Sequence, residues 1–136
     1  MSDEVVTAGH CVEGAEVRVV EWGGLQWEAG VVTLRDGDVA LIEVRGIGAS
    51  VGAVRVGRLR GGVLAVSAWQ GETRARRGVW SCTTETWSVE RSRLMMPCGF
   101  SNGASGAGVM LGGELVAVVT SKQAGGVNTA TLLADS

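Results

Sequence analysis

Three residues of this chain have the types and settings to do covalent chemistry together. His10 is the sequence's single histidine and lies in Val5-Val6-Thr7-Ala8-Gly9-His10-Cys11. Asp38 opens the apolar run Val39-Ala40-Leu41-Ile42. Ser105 sits in the glycine-rich stretch Asn102-Gly103-Ala104-Ser105-Gly106-Ala107-Gly108. A serine hydroxyl is a weak nucleophile until a base takes its proton, and an imidazole titrates near neutral pH. A carboxylate behind the imidazole fixes its tautomer and stabilises the imidazolium. Asp36 is the rival carboxylate, but its neighbour Gly37 makes it the better candidate for a turn. His10 with Cys11, Cys82 and Cys98 is the other chemical grouping. It lacks a Cys-x-x-Cys pair, and adjacent residues rarely ligate one ion, so neither a metal nor a cofactor is expected.

These residues must be held by strands. Short apolar blocks recur at Val17–Val20, Val31–Leu34, Val39–Val44, Val51–Val56, Val63–Val66, Val79–Thr83, Thr86–Val89, Val109–Leu111, Leu115–Thr120 and Val127–Leu133. Each has the length of a strand, and no block has the period of a helix. Turn signals separate them at Gly23-Gly24, Asp36-Gly37, Gly46, Gly61-Gly62, Gly112-Gly113 and Gly125-Gly126. Glycine contributes 22 residues and proline one. Many short strands joined by tight turns predict an antiparallel barrel or sandwich. A chain of 136 residues suffices for a real core.

Charge excludes some functions. Twelve basic and fourteen acidic residues give a formal net charge of -2, which argues against a nucleic-acid surface. Arg74, Arg76 and Arg77 read as a solvated loop. No run of about 18 apolar residues is present, so no membrane-spanning helix is expected. Asp3 and Glu4 lead straight into the histidine segment, without a visible export signal. Trp22, Trp27, Trp69, Trp80 and Trp87 lie on or beside the strand blocks and are expected to fill core and strand faces.

Taken together, the segments resemble the trypsin-like (chymotrypsin-fold) serine peptidases, whose triad runs in the order His, Asp, Ser. Thr7-Ala8-Gly9-His10-Cys11 differs at one position from the family's Thr-Ala-Ala-His-Cys. Asp38 to Ile42 matches its Asp-(Ile/Val)-Ala-Leu-Leu strand. Gly103 to Gly108 stands where the family writes Gly-Asp/Ser-Ser-Gly-Gly-Pro, and Leu115 to Thr120 resembles its Leu-Val-Gly-Ile-Val-Ser strand. The style is similar to secreted bacterial members. Ala104 replaces an aspartate that serves a zymogen switch in many animal members, and Ala107-Gly108 replaces Gly-Pro after the serine.

The resemblance implies an all-β fold of two antiparallel barrels with the active site in the cleft between them. Residues 1–50 would form a partial first barrel carrying His10 and Asp38, and 51–136 a second carrying Ser105. It implies a serine endopeptidase that acts through an acyl-enzyme without a cofactor. The backbone amides of Gly103 and Ser105 would form the oxyanion hole. Gly99 would floor the specificity pocket, with Thr120, Ser121, Lys122 and Gly126 as walls. Cys82 and Cys98 would form a disulfide, leaving Cys11 free. The implied partner is a polypeptide, with no nucleic acid and no membrane, the chain a monomer and the location extracellular. The family usually has two strands before the histidine strand. The chain is therefore expected to be N-terminally truncated and weakly active, with an unpaired edge at that strand. Two other readings remain: an inactive trypsin-like domain kept as a binding or remnant module, and a β-rich binding module of other ancestry.

Overall fold

The computed structural model describes residues 3–14, 16–17, 19–70, 78–99, 104–122 and 127–134. Gly103, Gly126 and the arginines at 74, 76 and 77 lie outside them, as do the side chains of Ser121 and Lys122.

Five strands come first: β1 (Glu4–Ala8), β2 (Val19–Trp22), β3 (Leu25–Glu28), β4 (Val32–Arg35) and β5 (Val39–Glu43). Seven follow: β6 (Leu64–Gln70), β7 (Gly78–Thr84), β8 (Ser88–Glu90), β9 (Arg93–Met96), β10 (Gly108–Leu111), β11 (Glu114–Lys122) and β12 (Asn128–Leu132). The first group forms a three-stranded sheet in the order β1-β5-β4 and a β2-β3 hairpin. The second forms one seven-stranded antiparallel sheet, β7-β6-β10-β11-β12-β9-β8.

Each group has its own core. Ile42, Val44 and Ile47 are buried in the first, where Val5, Val20, Trp27 and Val32 pack against them half-buried. Leu64, Val66, Leu94, Met96, Val109, Val116, Val119 and Ala130 are among the buried side chains of the second. Along β6, β9 and β10 buried and open positions alternate, the period-two pattern of a sheet with one face inward, whereas residues 116–120 of β11 and 128–131 of β12 are buried on both faces. The architecture is the all-β double barrel expected, with the first barrel incomplete. Among the described residues that lobe has five strands, and β1 has a strand on one side only.

Two expectations need correction. Val51–Val56 is not a strand. A short helix, α1 (Ile47–Val51), runs into it, and only Val56 makes a bridge, to Leu115. Gly46 and Gly52, with φ of 84° and 85°, bracket this helix and turn the chain there, so of the valines that follow only Val56 meets a sheet strand. Val51, Val54 and Val56 are exposed. Second, β3 and β9 were not anticipated. Each has four residues: in β3 Gln26 and Glu28 interrupt the apolar pattern, and in β9 Arg93 precedes the apolar residues Leu94, Met95 and Met96.

Candidate active site

The register of β1 against β5 brings His10 to Asp38. Thr7 faces Ala40 and Ala8 faces Val39. One step further, the Gly9 N–H donates to the Asp38 carbonyl at 2.6 Å. The chain then enters a single turn of 3-10 helix, Gly9–Cys11, which turns His10 back over the end of β5. There the Asp38 carboxylate accepts two hydrogen bonds. Oδ1 takes the His10 backbone N–H at 2.7 Å, and Oδ2 meets His10 Nδ1 at 2.5 Å. A carboxylate in that position fixes the ring proton on Nδ1 and leaves Nε2 free to act as a base. The imidazole and carboxylate side chains keep 50% and 36% of their surface open, so a substrate has access to the pair.

Asp38 reaches this geometry from an unusual backbone. Its φ is 64°, in the left-handed region, which aspartate tolerates better than most side chains. Gly9 fits the same crowding. A Cβ there would lie 3.0 Å from Asp38 Oδ1. The Thr-Ala-Gly-His departure from Thr-Ala-Ala-His thus falls where the carboxylate comes closest.

The turn bearing Ser105 is built from the second lobe and pressed against the first. The Gly106 N–H donates to the Val119 carbonyl at 2.7 Å, and the Val119 N–H to the Ala107 carbonyl at 2.8 Å. Ala104 is buried at its base, and Ser105 is half-buried. Gly106 has a φ of 95°, and a Cβ on it would stand 2.6 Å from Thr7 Oγ1. No larger residue fits between this turn and the histidine strand. The Cys11 thiol sits 3.9 Å from the Ser105 carbonyl oxygen. The serine turn therefore rests on Thr7 and Cys11, the two sides of the segment that carries His10.

A second clasp holds Asp38. The Thr131 hydroxyl on β12 donates to the Gly37 carbonyl at 2.6 Å. Gly37 has a φ of 83°, and a Cβ there would meet Thr131 Cγ2 at 2.7 Å. Thr131 did not stand out in the sequence, and Thr7 did so only as the first residue of the histidine motif. The nearest signals were the glycines opposite them, which looked like ordinary turn glycines.

The remaining expected residues divide. Gly99 is exposed with a φ of 67°, a few residues ahead of the serine turn. Thr120 is buried at 5% exposure, inside a register shift of β11, and its hydroxyl donates to the Thr129 carbonyl at 3.4 Å. Cys82 on β7 and Cys98 after β9 form a disulfide with a Cα–Cα distance of 5.7 Å, as expected, and Cys11 is free. Burial pushes the Cys11 thiol up from its ordinary pKa. The Asp38 charge adds to that rise and a hydrogen bond with Thr7 opposes it. Among the described residues no cluster of His, Cys, Asp and Glu could hold a metal ion, and no helix is long and apolar enough to cross a membrane.

Solved structures share this fold. A serine protease of a human pathogenic astrovirus superposes with a TM-score of 0.74 at 21% identity, covering 96% of this chain and 78% of that one. A glutamyl endopeptidase gives 0.77 at 15% identity, covering 96% and 75%. A thermostable serine protease from an extremophilic microorganism gives 0.73 at 17%, covering 95% and 78%. A search of curated protein sequences gives no match. The model of the trypsin-like peptidase domain matches residues 1–118, which span the histidine segment, Asp38 and the serine turn. With most of its length in that match and both halves of the double barrel in place, the chain belongs to the trypsin-like peptidase domain family and is a trypsin-like serine endopeptidase.

Proposed function

We propose that Ser105, His10 and Asp38 form the catalytic triad of a peptide-bond hydrolase. The observation that carries this reading is the two-point hold of Asp38 on His10, with the Ser105 turn seated against Thr7 and Cys11 on the same segment. In the first step His10 Nε2 takes the Ser105 hydroxyl proton as Oγ attacks the scissile carbonyl carbon. The carbonyl oxygen becomes an oxyanion, received by the amides of Gly103 and Ser105. The C–N bond then breaks, and Nε2 returns its proton to the leaving amine. Water, deprotonated by the same nitrogen, cleaves the acyl-enzyme ester and regenerates Ser105. Asp38 stays ionised throughout and holds the imidazolium.

The division of labour runs along the chain, with residues 1–50 supplying base and carboxylate and 51–136 the nucleophile. The separate hydrophobic cores favour this division. Gly99 brings no charge to the pocket floor. With Thr120, Ser121, Lys122 and Gly126 as walls, the pocket suits a small or medium apolar side chain rather than Arg, Lys or Glu. A peptide-library profile dominated by cleavage after Arg or Lys would overturn that assignment. The enzyme acts as a monomer, without cofactor, on polypeptides and not on nucleic acid or membranes. An extracellular location suits the Cys82–Cys98 bridge, because disulfides persist in oxidising compartments.

The test is hydrolysis of a generic casein substrate. Activity in the wild type that is lost in both Ser105→Ala and His10→Ala supports the triad. Equal turnover by either variant sinks it.

A further inference from the structure

A cavity of about 450 Å³ opens between the lobes beside the turn that delivers Asp38. Gly37 walls it on the first-lobe side. Glu90, Arg91, Arg93 and Met95 of the β8-β9 hairpin and Thr131 of β12 wall it on the other. Both arginines are exposed. The ion pairs among the described residues, His10–Asp38 and Arg60–Glu114, involve neither guanidinium. Glu90 faces Arg93 across the hairpin, leaving an excess of one positive charge on the lining. Arg91 is at the tip of this tight hairpin with a φ of 59°, which sets the direction of its side chain.

The wider charge distribution has the same sense. Residues 51–136 carry nine Lys and Arg against five Asp and Glu, whereas residues 1–50 carry three against nine. The cavity is thus lined by the basic half of an acidic protein. It also adjoins the catalytic machinery through two short paths. Thr131 holds Gly37, the residue before Asp38. Thr131 also lies 3.4 Å, hydroxyl to hydroxyl, from Thr120, whose neighbour Val119 anchors the serine turn.

We infer that this cavity is an exosite for a carboxylate side chain of the polypeptide substrate, bound by Arg91 and Arg93. Guanidinium groups present planar donors matched to carboxylates, and two on one hairpin favour an anion over an amide of equal size. The inference rests on the protease reading in taking its ligand to be a substrate. The binding chemistry itself is independent of Ser105.

The experiment uses peptides with one apolar residue at the scissile position, carrying either Glu or Gln at each of the neighbouring positions in turn. Binding to the Ser105→Ala variant is read by fluorescence polarisation, and turnover is read with the wild type. At one position Glu is expected to outperform Gln by roughly five-fold at low salt, an effect of the size that partly exposed charge pairs give. The difference should appear in KM rather than kcat and fade as salt shortens the screening length. It should reverse in an Arg91→Glu/Arg93→Glu variant and vanish in Arg91→Gln/Arg93→Gln, both checked for an unchanged thermal melt. A preference for Glu at no position, one that survives charge reversal, or no binding of any peptide overturns the exosite. Cleavage without that preference leaves the protease reading standing. Selective binding without cleavage leaves the exosite standing and removes the protease.

Discussion

Replacing Asp38 by asparagine separates chemistry from structure at this site. Both carboxylate oxygens are engaged, Oδ1 by the His10 backbone N–H at 2.7 Å and Oδ2 by Nδ1 at 2.5 Å. An asparagine offers one acceptor and one donor. If its amide nitrogen faced the backbone N–H, two donors would meet at 2.7 Å, and the lost hydrogen bond would cost about 0.5–1.5 kcal/mol. The amide therefore keeps its oxygen on the backbone and turns its NH2 to the ring. Nδ1 then becomes an acceptor, the ring proton moves to Nε2, and His10 can no longer take the Ser105 proton. The backbone should not object, since asparagine adopts a φ near 64° as readily as aspartate. The expected loss in kcat is about 10⁴-fold, equivalent to roughly 5.4 kcal/mol of transition-state stabilisation. The assay is turnover of an apolar peptide amide at neutral pH, alongside a thermal melt that should move by no more than a few degrees. An Asp38→Asn protein that melts normally and keeps more than a tenth of its activity would refute the role of Asp38. It would point to Asp36 or to no triad.

Three further outcomes follow from single contacts. Gly106→Ala adds a Cβ 2.6 Å from Thr7 Oγ1 at a φ of 95°. It should lose stability by about 1–2 kcal/mol from backbone strain alone and displace Ser105 enough to cost on the order of a hundredfold in rate. Thr7→Ala should restore part of the rate, and a wild-type melt and rate in Gly106→Ala would contradict the packing described. Removing the Cys82–Cys98 bridge, which spans a sequence separation of 16, should cost about 3 kcal/mol of unfolding free energy. The molecules that remain folded should stay active, and a loss under 0.5 kcal/mol in denaturant melts would count against the bridge. Cys11 has a raised pKa, so at any pH below its midpoint it holds less thiolate than a free thiol. Its alkylation should climb only at a pH above the free thiol's midpoint, with Asp38→Asn moving that midpoint down, and a midpoint at or below the free thiol's would show the reasoning wrong.

The proposed chemistry was legible because it depends on residue type and order. His10, Asp38 and Ser105, the proposed triad, each stand at the end of a strand or in a glycine turn that local pattern reveals. The strands β5, β10 and β11 were legible for the same reason, being short apolar blocks between turn residues. What the chain hid was whatever depends on the partner across a gap. Gly106 and Gly37 look like turn glycines, and only the approach of Thr7 and Thr131 shows why nothing larger fits. β3 escaped because Gln26 and Glu28 break its apolar run, and β9 because Leu94, Met95 and Met96 include no β-branched or aromatic residue. Val51–Val56 misled in the opposite direction. It has strand-forming side chains, but Gly46 and Gly52 redirect the backbone and leave most of it without a sheet.

The most direct test of the triad is covalent labelling by a serine-directed phosphonate, mapped by peptide mass spectrometry. The hydroxyl of Ser105 becomes nucleophilic only if His10 Nε2 is within reach and Asp38 holds the ring. A single adduct on Ser105 is expected, lost in His10→Ala and strongly slowed in Asp38→Asn. An adduct on another serine, or equal labelling of Ser105 in His10→Ala, would contradict the triad.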